Sequence, residues 1–174
     1  MVSNSLNWTN WLKFKNIWVR NGSKYFFQSK ENLLIPEDPG VYQVRCIQKN
    51  DKPIQIQRAN GVDTEGILYI GSSSDLMERI RTFWRGVNEN VPPNLLQASI
   101  SSANMSQIYN LLKVPHSGAN TYAIFQFAGV FPQDSLEVQW AQTSTYKSDE
   151  TTLLYAYMAK FLDKPPLNLS IKRW

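Results

Sequence analysis

Apolar and polar residues alternate over residues 41 to 47, the period of a half-buried strand, and alternate again over 54 to 57 after the turn residues Asn50, Asp51 and Pro53. Together the two runs predict a hairpin. Gly66 opens a short apolar run, Ile67, Leu68, Tyr69 and Ile70, that ends at Gly71 and reads as a central strand. Residues 72 to 74, all serine, supply a turn, with one of them or Asp75 as helix cap, and Leu76, Ile80, Phe83 and Trp84 share one face of the helix that follows. The pattern is therefore strand, tight turn, helix. Residues 88 to 93 are polar and proline-containing, a loop, before helical spacing at Leu96, Ile100, Met105, Ile108, Leu111 and Leu112, where a Ser-Ser-Ala-Asn interruption suggests two short helices. Residues 122 to 127 and 136 to 141 predict two more strands, joined by a turn at Gly129 and Pro132. Asp149 begins a last helix with Leu153, Leu154, Tyr157, Met158 and Phe161 on its buried side, and Pro165-Pro166 stop it.

Ahead of these elements, Trp8, Trp11, Leu12, Ile17 and Trp18 recur at mixed three- and four-residue steps, which predicts an amphipathic helix over residues 7 to 19, ended by Asn21 and Gly22. After the aromatic run Tyr25, Phe26 and Phe27, the segment Ile35-Pro36-Glu37-Asp38-Pro39-Gly40 makes a rigid turn. It marks a boundary between an N-terminal helical arm, residues 1 to 33, and a core, residues 34 to 174. The expected fold is α/β of the α+β kind: a small mixed sheet of about three core strands flanked by helices, with the arm in front and a hairpin inserted.

A chain of 174 residues buries one sizeable core, and 43% apolar with 18% charged residues is ordinary for a globular protein. The one cysteine, Cys46, excludes a disulfide framework and a cysteine-built metal site, and fits a reducing cytoplasm. No window reaches about 18 uninterrupted apolar residues, and the N-terminus lacks the basic-then-apolar layout of a signal peptide, so a cytoplasmic protein is expected. A net charge of +4 is compatible with a polyanionic partner and raises that expectation only a little. In the arm, the aromatics interleave with Lys13, Lys15, Arg20 and Lys24. Such a stretch stacks bases and binds phosphates, or else covers a sheet face or forms a homodimer contact, and the apolar stripe fits the second better.

Five features stand in a meaningful order: Gly40-Val41-Tyr42 on the first strand, Tyr69-Ile70-Gly71 on the next, Asp75-Leu76-x-x-Arg79 on the following helix, Glu150 on a late helix, and Pro165-Pro166-Leu167-Asn168 at the close. The pattern resembles the GIY-YIG nuclease superfamily over roughly residues 34 to 169. Its members include the incision domain of bacterial excision repair, homing endonucleases and some type II restriction enzymes. The resemblance implies a metal-dependent endonuclease that hydrolyses DNA, plausibly of the restriction type. The alternatives are a catalytically silent DNA-binding or assembly module on the same fold, and a structure-specific or RNA nuclease.

The resemblance assigns roles residue by residue. Tyr42 is the candidate general base or water-positioning group, with Tyr69 beside it on the same face. A phenol near pKa 10 acts as a base only where a cation lowers the cost of its phenolate. Arg79 would offer a fork of donors to the scissile phosphate. Glu150 would hold one Mg²⁺, or Mn²⁺, since such an ion keeps most of its waters and needs few protein ligands. His116, the one histidine, would contact the phosphate or assist proton transfer. Gly40, Gly71 and Asn168 would support the site, Asn168 by fastening its backbone. The sequence departs from the family in two respects. Tyr42 and Tyr69 lie 27 positions apart, longer than usual, and the turn after Gly71 is serine where a lysine often stands. Arg81, Arg85 and Lys113 are the candidate substrate-binding cations.

Overall fold

The computed structural model describes residues 6–21, 24–27, 35–88, 116–125 and 127–168. Lys113 and the helices expected over residues 95 to 114 lie outside them. A small α+β fold is observed, as the pattern predicts, but its main sheet has four strands and is antiparallel throughout rather than mixed. Its sheet has the order β1-β8-β4-β7, and each pairing is antiparallel. The strands are β1 (Leu12–Lys13), β4 (Gly40–Cys46), β7 (Ile67–Ser73) and β8 (Leu136–Gln142). Helix α2 (Leu76–Val87) buries Leu76, Ile80, Phe83 and Trp84, the face expected from its spacing. These side chains join Tyr42, Val44, Leu68, Tyr69, Leu136, Val138 and Trp140 in the main core. Helix α4 (Tyr146–Phe161) packs Leu154, Tyr157 and Phe161 against Ile67 and Ile70 in a second cluster. Neighbouring strand residues point to opposite faces, so Tyr69 and Ile70 feed different layers and the sheet lies between them. Among the described residues, no helix is long and apolar enough to cross a membrane.

Several expectations change. Residues 7 to 19 do not form one helix: β1 pairs with β8, a single turn α1 (Phe14–Ile17) follows, and β2 (Trp18–Asn21) pairs with β3 (Lys24–Phe27). The apolar positions there satisfy several neighbours at once rather than one helix face. Leu12 sits opposite Val138, Trp11 lies 4.2 Å under the Arg45 guanidinium, and Phe14 stacks on Phe83 and Trp84. Phe14, Ile17 and Trp18 belong to the main core, so this part of the arm is spent inside the chain's own fold.

The segment 122 to 127 is not a strand. It completes helix α3 (Ser117–Ile124) and enters a 3₁₀ turn, Phe127–Gly129. Its apolar residues are tied to a helix by the cap at His116, whose ring accepts a bond from the Ala119 N–H. The inserted hairpin is also rearranged. Ile47 bridges to Pro53, but Ile56 and Gln57 (β5) pair with Val62 and Asp63 (β6) rather than with β4.

β7 is an edge strand, not a central one, and it continues through Ser73. Its run reads as central because both faces are covered and its open edge is closed by the chain's last described residues. Leu167 N–H donates to Leu68 O at 2.9 Å, and Asn168 bonds both backbone groups of Ile70. The start of β7 is fixed by Asp63, 1% exposed, which accepts bonds from the backbone N–H groups of Glu65, Gly66 and Ile67 and from the Tyr157 hydroxyl. Helix α4 begins at Tyr146, three residues before the expected Asp149, which places Glu150 in its second turn. There Asp149 accepts bonds from the Thr143 and Thr145 hydroxyls at 2.7 and 2.8 Å, and so serves the helix start.

Candidate active site

Tyr42 stands opposite Gly71 in the β4–β7 ladder, and Tyr69 stands opposite Val44. In an antiparallel pair this register puts both tyrosines on one face, diagonal to each other. Their ring centroids are 5.7 Å apart. Gly71 leaves them the room, because a Cβ there would meet Tyr69 Cε1 at 2.5 Å and the Tyr42 ring at 3.0 Å. Gly40 likewise admits close approach by the Ala141 carbonyl and Leu76.

His116 completes the cluster from the N-terminus of α3. Its Nε2 is 2.5 Å from the Tyr42 hydroxyl, and its ring packs 5.2 Å from Tyr69 and 5.1 Å from Phe83. The tautomer follows from the cap. Nδ1 accepts the Ala119 N–H at 3.3 Å, so a neutral ring carries its proton on Nε2 and donates it to the Tyr42 oxygen. The ring is neutral because burial, together with the nearby Arg79 charge, pulls its pKa down to about 3.

Tyr42 has no exposed surface and Tyr69 is 8% exposed. Burial above all holds the Tyr42 phenol well above its usual range, helped by Tyr69 and Glu150 and opposed by Arg79. Burial also raises Tyr69, with Glu150 in the same direction, while hydrogen bonds from Ser117 and Tyr42 and the charge of Arg79 act the other way. The contacts thus run from His116 through the Tyr42 hydroxyl to the Tyr69 ring, with Ser117 beside Tyr69.

Arg79 and Glu150 reach this cluster from different layers. Arg79 is half-buried in the first turn of α2, which Asp75 caps by accepting the Glu78 N–H at 2.8 Å. Positions 76, 79, 80 and 83 lie on adjacent rows of the helix, so Arg79 flanks the stripe that carries Phe83. Glu150 is half-buried on α4, and its Oε2 accepts the Ser72 hydroxyl at 2.5 Å. Tyr42, Tyr69 and His116 are thus in contact, while Arg79 and Glu150 act on both phenols through their charge, Glu150 from the Ser72 face of the sheet. Arg81 and Arg85 stand apart: both are exposed on the outward side of α2, and Arg81 pairs with Glu78. Asn168 fastens Ile70, between Tyr69 and Gly71, accepting its N–H at 3.0 Å and donating to its carbonyl at 2.8 Å.

Sequence reasoning did not single out Ser117, Gly118 or Phe83 as parts of the site. A Cβ at Gly118 would meet the Tyr69 ring at 2.6 Å, so the Ser-Gly after His116 was the available signal. Among the described residues, no three His, Cys, Asp or Glu side chains stand close enough to form a metal cage. A zinc-like site of three or four protein ligands does not fit that donor set, whereas a water-rich Mg²⁺ held through one carboxylate fits Glu150. No family model, no curated protein and no solved structure matches this chain.

Proposed function

We propose that this chain is a metal-assisted endonuclease that hydrolyses DNA phosphodiesters, as its resemblance to the GIY-YIG nucleases implies. One observation carries the reading. Two buried tyrosines and a neutral histidine touch one another, and an arginine and a carboxylate act electrostatically on both phenols, the five residues coming from five separate elements. A structural tyrosine pair needs neither Arg79 nor Glu150 beside it, and perturbed groups of this kind concentrate at functional sites.

In the reaction, a phenol first gives its proton to solvent, the oxygen of a water then bonds to phosphorus as its proton passes to the phenolate oxygen, and the bond from phosphorus to the leaving sugar oxygen breaks. That oxygen then takes a proton from solvent. Of the two phenols, Tyr69 is the better acceptor: it keeps exposed surface, and Ser117, Arg79 and Tyr42 each favour its phenolate against burial. Tyr42 and His116 act through it as positioning residues. Arg79 lowers the cost of the phenolate and offers its guanidinium to the phosphate oxygens. Mg²⁺, held by Glu150, would supply charge stabilisation and a more acidic water. Incubating the purified chain with supercoiled plasmid and Mg²⁺ tests the reading. Nicked or linear product is expected from the wild type and none from Glu150→Ala; a plasmid left intact by the wild type contradicts it.

A further inference from the structure

We infer that Ser72 is a positioning residue for Glu150, orienting its carboxylate toward the metal; this rests on the hydrolytic reading above. Ser72 pairs through its backbone with Val41, immediately before Tyr42, so its hydroxyl is fixed at the strand end that carries the tyrosines, on the opposite face of the sheet, where α4 lies. Glu150 arrives from α4, a separate element on a flexible side chain of three rotatable bonds. The 2.5 Å bond from Ser72 Oγ to Glu150 Oε2 joins the carboxylate to that strand end. Both residues are half-buried, where a charge-assisted bond is stronger than in open solvent. A carboxylate has two oxygens and about four acceptor sites, so one hydroxyl orients it without saturating it. Ser72, a residue of β7 rather than of a turn, thereby acquires a task that a lysine there would not perform in the same way.

The test compares Ser72→Thr with Ser72→Val, an isosteric pair that suits a strand and differs only in the hydroxyl. Binding of Mn²⁺ alone is measured by electron paramagnetic resonance, with thermal unfolding of each variant as the control for folding. Partners that orient a metal ligand typically cost about 10- to 100-fold in metal affinity when lost, and that loss is expected for Ser72→Val, with Ser72→Thr near wild type. Equal Mn²⁺ binding by the two variants overturns the role of Ser72 and leaves the hydrolytic reading standing. Wild-type protein that binds no Mn²⁺ removable by Glu150→Ala overturns both.

Discussion

The hydroxyl of Tyr42 lies 2.5 Å from Nε2 of His116, in a contact between one side chain with no exposed surface and another that is 2% exposed. Because Nδ1 of the same ring accepts a backbone N–H, the histidine is a fixed donor rather than a base. A buried histidine that must stay neutral carries a pH signature. With its folded pKa lowered to about 3, the native state does not take the proton that the unfolded state takes below 6.5. Stability contributed by the neutral ring is full above pH 6.5 and is lost as pH falls toward 3. The slope is up to about 1.4 kcal/mol per pH unit. Urea unfolding at pH 7.5, 6.5 and 5.5 should show a steeper acid loss in wild type than in His116→Gln. The single imidazole should show no NMR titration between pH 8 and 5.

Asn168 closes the edge of β7 with two bonds to Ile70. Asn168→Ala leaves a buried N–H and a buried carbonyl without partners, a loss of about 2–4 kcal/mol by chemical denaturation. Asn168→Asp retains the acceptor and loses the donor, and should fall between the two.

Gly71 is not in a left-handed conformation, so its role is steric. Gly71→Ala drives a methyl into Tyr69 and Tyr42, and overpacking of this kind costs about 1–3 kcal/mol. Cleavage should fall further than stability does, because the displaced groups are the phenols themselves. A variant with wild-type activity would show that the spacing of the tyrosines is not used.

Much of this was legible in the chain. The strand and helix around Gly71 follow from an apolar run and a capped amphipathic stripe, and Tyr42 and Tyr69 lie side by side on one face as the resemblance implies. What the pattern misjudged lay where tertiary partners decide. Leu12 pairs with Val138 instead of continuing a helix, and the segment after His116 becomes a helix because the histidine caps it. β7 looks central because Leu167 and Asn168 close its edge from about 100 residues away, a distance that local periodicity does not sense. The tautomer of His116 was equally hidden, because it depends on which ring nitrogen meets Ala119. The proposed function makes Tyr69 the acceptor of the water's proton.

That assignment has its own kinetic consequence. A phenol whose pKa is raised above 10 is protonated at neutral pH, so its base form grows about tenfold per pH unit. The single-turnover rate of plasmid cleavage with saturating Mg²⁺, followed from pH 6.5 to 9 for wild type, Tyr69→Phe and Tyr42→Phe, tests the proposed chemistry most directly. Wild type should rise about tenfold per unit. Tyr69→Phe should lose about 10²- to 10⁴-fold and its pH dependence, while Tyr42→Phe should lose about tenfold, the worth of one hydrogen bond, and keep the slope. A Tyr69→Phe protein that cuts at the wild-type rate with the wild-type slope would contradict the tyrosine site as the centre of hydrolysis.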